Sequence, residues 1–123
     1  MVDQSTRELA REPQDLERLL VARQWAGDVD AMIALYEPEA VIDSSDGRLI
    51  EGLEAIREYF AAYNASGRKF QSGVQRPALI AGDLALTSTR LSDGTVTGEV
   101  ARRQSDGRWL WVLDRFSMAG ERK

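Results

Sequence analysis

The stretch Gly107–Met118, GRWLWVLDRFSM, decides the fold. On an extended strand successive side chains point to opposite faces. Trp109, Trp111, Leu113, Arg115 and Ser117 would then share one face, and Leu110, Val112, Asp114, Phe116 and Met118 the other. Both faces are largely apolar, yet each carries one charge. A strand of this kind is covered on both sides, and each charge either reaches a solvated edge or looks into a cavity. Alternation alone leaves open which face lines the cavity, and so whether Asp114 or Arg115 is the inward charge.

Upstream of this strand, turn signals stand at Gly82-Asp83, Asp93-Gly94 and Asp106-Gly107, about 12 residues apart. The segments between them, roughly 70–81, 84–91, 95–104 and 108–118, read as a meander of hairpins. The first half has helical periodicity instead. Over 14–26, Leu16, Leu19, Leu20 and Ala26 fall on one helical face, Gly27 is a stop, and Asp28 can cap the next helix. Val29, Met32, Ile33 and Tyr36 predict a helix over 29–36 that Pro38 ends, and Ile56, Tyr59, Phe60 and Tyr63 predict one over 53–64. Between them, AVIDSSDGRLIEG reads as a small hairpin turning at Asp46-Gly47. Three helices segregated from an antiparallel sheet make an α+β fold. The 123 residues suit a single domain, with polar residues 1–12 as a loose lead-in.

Composition excludes several function classes. The net charge is −4 and the cations form no run, which argues against nucleic acid. There is no Cys and no His, so disulfides, thiolate or His-ligated metal sites, Cys nucleophiles and Ser-His-Asp triads are all excluded. Acid–base chemistry would fall to Asp, Glu, Tyr, Lys, Arg or water. No metal or cofactor is called for. The opening residues lack the apolar run of a signal peptide, and no segment approaches the ~20 apolar residues of a membrane span, so a cytoplasmic protein with no membrane partner is expected.

The segments AGDVDAMIALYEPEAVI, GLEAIREYF and DGRWLWVLDRFS stand in an order and at a spacing that resembles the nuclear transport factor 2-like (cystatin-like cone) superfamily. The closer resemblance is to its SnoaL-like and ketosteroid isomerase-like branch, over about residues 14–118. It implies a strongly curved antiparallel sheet wrapped on three helices, with an apolar, cone-shaped pocket between them. It is far less informative about activity, because the superfamily hosts isomerases, cyclases, epoxide hydrolases, binding modules and oligomerisation domains. Carried over residue by residue, the isomerase base falls on Ser44, one position after Asp43. The two oxyanion donors fall on Leu20 and near Val100, so neither is present. The Asp–His pair of the cyclases has no His here, which leaves Asp114. The epoxide hydrolases' Asp–Arg–Asp cluster points to Arg23.

Several residues are therefore candidates for chemistry. Asp43 shares a strand face with Val41 and is either an inward base or a solvated hairpin carboxylate. Asp114 is either a buried acid of raised pKa or half of an ion pair with Arg90, Arg102 or Arg103. Arg23 lies between Leu16, Leu19 and Leu20 on helix 1, and either meets Asp43, Glu99 or Asp114 or extends to the surface. Leu20, Tyr59, Phe60, Tyr63, Trp111 and Arg115 are the candidate ligand-contacting residues. Trp25, nearly opposite Leu19 and Leu20, needs a cover of its own.

Three functions fit. One is a cofactor-independent isomerase, cyclase or hydratase acting on an apolar small molecule, with Asp43 or Asp114 as base and Arg23 or a Tyr stabilising an oxyanion. Another is a non-catalytic small-molecule binding protein, and the third an oligomerisation module with a filled cone. The resemblance also implies that the outer sheet face is often covered by a partner subunit; a strand apolar on both faces suits such a homodimer, with roughly 800 Å² buried per partner.

Overall fold

A computed structural model describes residues 7–119. The element order is α1 (Asp15–Trp25), α2 (Val29–Ile33), β1 (Tyr36–Asp43), β2 (Leu49–Glu51), α3 (Leu53–Ala65), β3 (Gly73–Gln75), β4 (Leu79–Ala81), β5 (Leu84–Thr87), β6 (Thr89–Leu91), β7 (Gly98–Arg103) and β8 (Trp109–Arg115). Six strands form one sheet in the order β2-β1-β8-β7-β5-β4, and β3 pairs with β6 in a small second sheet. The class is the expected α+β. The large sheet is mixed, because β1 and β8 run parallel while its other pairs are antiparallel.

The helices follow from local signals. The Gly27 backbone has φ +71°, which ends α1, and Asp28 Oδ1 accepts from the Ala31 amide at 3.1 Å to cap α2. Leu16, Leu19 and Leu20 of α1, Met32 and Ile33 of α2, and Ile56 and Phe60 of α3 pack into one core with Ile42, Ile50, Trp109 and Trp111 of the sheet.

Three expectations change. Helix α2 stops at Ile33, and Tyr36 opens β1 instead of ending the helix. The Leu35 carbonyl already accepts from the Trp111 amide at 2.8 Å, so pairing with β8 begins before the helical pattern runs out. Pro38 then lies within β1, where the register against β8 shifts between Tyr36 and Val41, as a residue without an N–H requires. The segments 70–81 and 84–91 each split in two, so that β3 and β6 leave the main sheet while β4 and β5 stay in it. Pro77 interrupts the first of them, and Arg76 N bonds Ser88 O at 3.0 Å across the break.

Residues 7–12 are less loose than expected. Ala10 is buried in the core and its carbonyl accepts from the Trp109 amide at 2.8 Å. Residues 1–6, the rest of that expected lead-in, lie outside the described residues. Among the described residues no helix is long and apolar enough to cross a membrane.

The last strand does not alternate regularly. Against β7, Val100 faces Leu113 while the next residue, Ala101, faces Trp111. Val112 is therefore an extra residue on β8, a bulge that reverses the phase of everything after it. Trp111 and Asp114, three residues apart, are both buried, whereas Leu113 between them is 49% exposed. The expected faces hold on each side of Val112 but not across it.

Candidate functional site

The bulge puts Asp114 in a cross-strand row on the concave face of the sheet. Thr87 of β5 faces Glu99 of β7, Glu99 faces Asp114 of β8, and Asp114 faces Ile42 of β1. All four are buried. Directly opposed residues on one face of an antiparallel pair have Cβ atoms ~4.5–5.5 Å apart, so the two carboxyl groups are neighbours. Each accepts from a hydroxyl. Thr87 Oγ1 donates to Glu99 Oε1 at 2.6 Å, and Tyr36 Oη donates to Asp114 Oδ2 at 2.6 Å. Among the described residues nothing donates to Asp114 Oδ1.

The row opens onto a cavity of about 520 Å³ between the sheet, α1, α3 and the loop that follows α3. Glu17 and Leu20 of α1 line it, as do Tyr59 and Tyr63 of α3, Phe70, Phe116, Thr97, Glu99 and Asp114. The loop is held to α1 by the buried side chain of Gln24, whose Nε2 donates to Arg68 O and to Asn64 Oδ1, each at 2.9 Å, and whose Oε1 accepts from Phe70 N at 2.9 Å. Trp25 adds an indole hydrogen bond to Phe70 O at 2.8 Å, so this exposed side chain fixes the loop instead of packing under a cover. These bonds place Phe70 against Tyr63, with ring centroids 4.7 Å apart, and against Phe116 at 6.4 Å.

Burial with no cation at hand raises the affinity of all three inner carboxyl groups for protons. Glu17 makes no hydrogen bond with the described residues, and its pKa is pushed up to about 8, first by burial and then by the charge of Glu99. It keeps some accessible surface only because it borders the cavity. Burial also holds Glu99 above the usual carboxylate range, against hydrogen bonds from Thr87 and Thr97. Asp114 lies well above it, through burial and the charge of Glu99, with the Tyr36 hydrogen bond opposing. Tyr36 in turn is pushed well above the ordinary phenol value by burial and by Asp114.

The sequence-derived candidates separate into two groups. Asp114, Leu20, Tyr59 and Tyr63 line the cavity. Phe60 and Trp111 lie behind it as fully buried core. Asp43 is not a cavity carboxylate: its Oδ2 accepts from Arg115 Nε at 2.8 Å, and neither residue borders the cavity. The strand phase explains this, since Ile42 and Ser44 are the buried neighbours and Asp43 points the other way. Arg23 meets none of the acids proposed for it. Its guanidinium donates to Ala31 O at 2.7 Å and to Glu8 O, so backbone carbonyls satisfy it outside the cavity. Among the described residues Asp114 has no Arg partner either; its neighbours are Tyr36, Glu99 and Glu17.

Sequence reading missed Glu17 entirely and used Glu99 only as a partner for Arg23. A signal for Glu17 existed. Residues 17, 20 and 24 recur at i, i+3 and i+7, so Glu17, Leu20 and Gln24 form one helical stripe beside the leucine face. Glu99 carries no comparable mark, because its inward phase depends on the register of β7.

The SnoaL-like domain model matches residues 16–122 of the chain. Among solved structures, a domain of unknown function with a cystatin-like fold from Nostoc punctiforme superposes with a TM-score of 0.70 at 14% identity, over 87% of this chain and 75% of that one. A ketosteroid isomerase-like protein from Parabacteroides distasonis gives 0.64 at 22% identity, over 83% and 81%. Rv3472 from Mycobacterium tuberculosis, a protein of unknown function studied as a point variant, gives 0.64 at 20% identity, over 83% of this chain and 66% of that one. At these identities the likeness is one of fold. No curated protein matches the chain.

Proposed function

Since this chain belongs to the SnoaL-like domain family, we propose that it binds an apolar small molecule in the cavity and catalyses a proton transfer there, as an isomerase, cyclase or hydratase without a cofactor. The observation that carries the reading is the inner cluster of Glu17, Glu99 and Asp114, with no cation among them and with one member titrating at about 8. General acid–base catalysis works best when the pKa of the group lies near the working pH. Neighbouring carboxyl groups also titrate as a set, so one ionises while another keeps its proton.

The ionised member of the set takes a proton from carbon beside a carbonyl. A protonated neighbour donates a hydrogen bond to the oxygen on which charge develops, and the captured proton then returns to a second carbon. Asp114 is assigned the proton-carrying role, because Tyr36 fixes its Oδ2 and leaves Oδ1 free for the ligand. Tyr59, Tyr63, Phe70 and Phe116 supply an apolar wall for the body of the molecule.

The second reading, a non-catalytic binding protein, shares the cavity and lacks the turnover. The filled-cone reading does not match a cavity of about 520 Å³. Hydrogen–deuterium exchange at the α-carbons of 2-tetralone, followed by NMR in D2O, distinguishes the two that remain. The wild type is expected to accelerate exchange over buffer, and Asp114→Asn to lose about 10²–10⁴-fold of that rate while still binding the ketone. Binding without acceleration would put the binding-protein reading first.

A further inference from the structure

The charges that border the cavity divide by depth. At its mouth the exposed Asp46 and Asp93 stand with the exposed Arg68 and Lys69, two of each sign. These four are also engaged locally. Asp46 pairs with Arg48, Asp93 accepts from the Thr95 amide, Arg68 lies over the Tyr63 ring, and Lys69 donates to Trp25 O. Deeper in, Glu17, Glu99 and Asp114 are matched by no cation among the described residues that line the cavity. Asp114, 4% exposed, presents Oδ1 with no donor among the described residues, and Glu17 presents a carboxyl group that makes no hydrogen bond with them. Four aromatic rings, Tyr59, Tyr63, Phe70 and Phe116, form the wall between mouth and floor. The negative faces of such rings attract cations and tolerate neutral apolar groups.

We infer that the natural ligand of this cavity is an apolar amino ketone, whose protonated nitrogen sits on Glu17 and Glu99 of the cluster and leaves Asp114 for the proton transfer, while its ring system packs against Tyr59, Tyr63, Phe70 and Phe116. The inference rests on the reading of the cavity as a ligand site and names the class of molecule that site takes. An ammonium group supplies what the floor lacks: a positive charge and up to three N–H donors for carboxylate oxygens the protein leaves unbonded. Without ligand, burial raises the affinity of the cluster for protons. An aliphatic amine, with a pKa of about 10, enters as a cation and displaces one of them. Binding therefore releases protons and strengthens as pH rises through the titration of Glu17 near 8. A neutral ligand that accepts hydrogen bonds from protonated carboxyl groups has the opposite trend.

Calorimetry on the full chain with three probes of one shape tests this: 2-aminotetralin, 2-tetralol and tetralin-2-carboxylate. At pH 7.5 the amine is expected to bind at least tenfold more tightly than the alcohol, and the carboxylate most weakly. Amine affinity is expected to rise at least fivefold from pH 6 to pH 8.5, with a binding enthalpy that changes with the buffer because protons are released. Glu17→Gln and Glu99→Gln, each close in shape to the original, should lower the ratio of amine to alcohol affinity. An alcohol that binds as tightly as the amine, or amine affinity that falls with pH, would overturn the inference and leave the ligand-site reading standing. Failure of all three probes to bind would overturn both.

Discussion

Glu99 and Asp114 stand directly opposite each other on β7 and β8, both buried, both facing the cavity, with no cation between them. Like charges opposed in a sheet destabilise it, and burial raises the affinity of both groups for protons, which eases the conflict. Neutralising one member should therefore help the fold where the pair is forced to ionise. Asp114→Asn preserves an oxygen to accept from Tyr36, and is expected to raise stability at pH 9 by about 1–2 kcal/mol. Urea denaturation at pH 9 measures it, and a loss of stability there would contradict the arrangement. The same variant should lose the proposed proton transfer.

Glu17 gives a pH dependence with a definite sign. Its pKa is raised from 4.5 to about 8 on folding, so the native state binds the proton more tightly than the unfolded chain. The associated stability is fully present below about pH 4.5 and is lost as pH climbs through about 8. Glu99 and Asp114, also raised, act in the same direction. Stability is expected to decline from about pH 5 to pH 9, and Glu17→Gln to recover roughly 3 kcal/mol at pH 9 with little effect at pH 4. Thermal denaturation of both proteins across that range gives the two curves. Parallel curves would mean that Glu17 is not the group responsible.

The Val112 bulge can be tested by deletion. Without Val112, β8 would pair one-to-one with β7, and Trp111 and the former Asp114, then two residues apart, would still share the inward face. The deletion variant is expected to stay folded and to keep the cavity acid, with a pH–stability profile that runs parallel to the wild type. A variant that loses that pH dependence would show that Val112 is not the extra residue that sets the phase.

On the convex face the residues one step out of phase with the acidic row are apolar. Leu79 faces Leu86, Leu86 faces Val100, Val100 faces Leu113, and Leu113 faces Val41, a ladder across five strands. Leu79, Leu86 and Leu113 are 68%, 49% and 49% exposed. Such a band is longer than scattered surface hydrophobes require, and we propose that a second copy of the chain covers it. Sedimentation equilibrium at micromolar concentration is expected to give a dimer for the wild type and a monomer for Leu113→Lys. A wild-type monomer would refute the pairing.

Gly73 marks a close approach in the small second sheet. A Cβ there would run into the Arg90 carbonyl oxygen and the Thr89 methyl group, both on β6. Gly73→Ala is expected to cost about 1–3 kcal/mol in chemical denaturation, because the obstruction includes backbone and cannot rotate away.

The sequence by itself determined where the helices start, the turns and the class of fold, because these depend on periodicity and on residues that act locally, whereas pairing with β8 cut α2 short at Ile33. The stripe Ile56, Tyr59, Phe60 and Tyr63, the Gly27-Asp28 stop and cap, and the Asp46-Gly47 turn all stand where the pattern puts them. It also established that any acid–base chemistry here must do without His and Cys. Which carboxylates meet was decided by the tertiary structure. Asp43 and Asp114 look equivalent in the sequence, yet one strand phase sends Asp43 out to Arg115 while a single unpaired residue, Val112, turns Asp114 in. Glu99 joins Asp114 only through the register of β7 on β8, and Glu17 joins them only through the docking of α1 over the cavity. Helix periodicity is written in neighbouring residues, whereas strand phase is set by pairing with a partner far along the chain. One bulge is enough to reverse it.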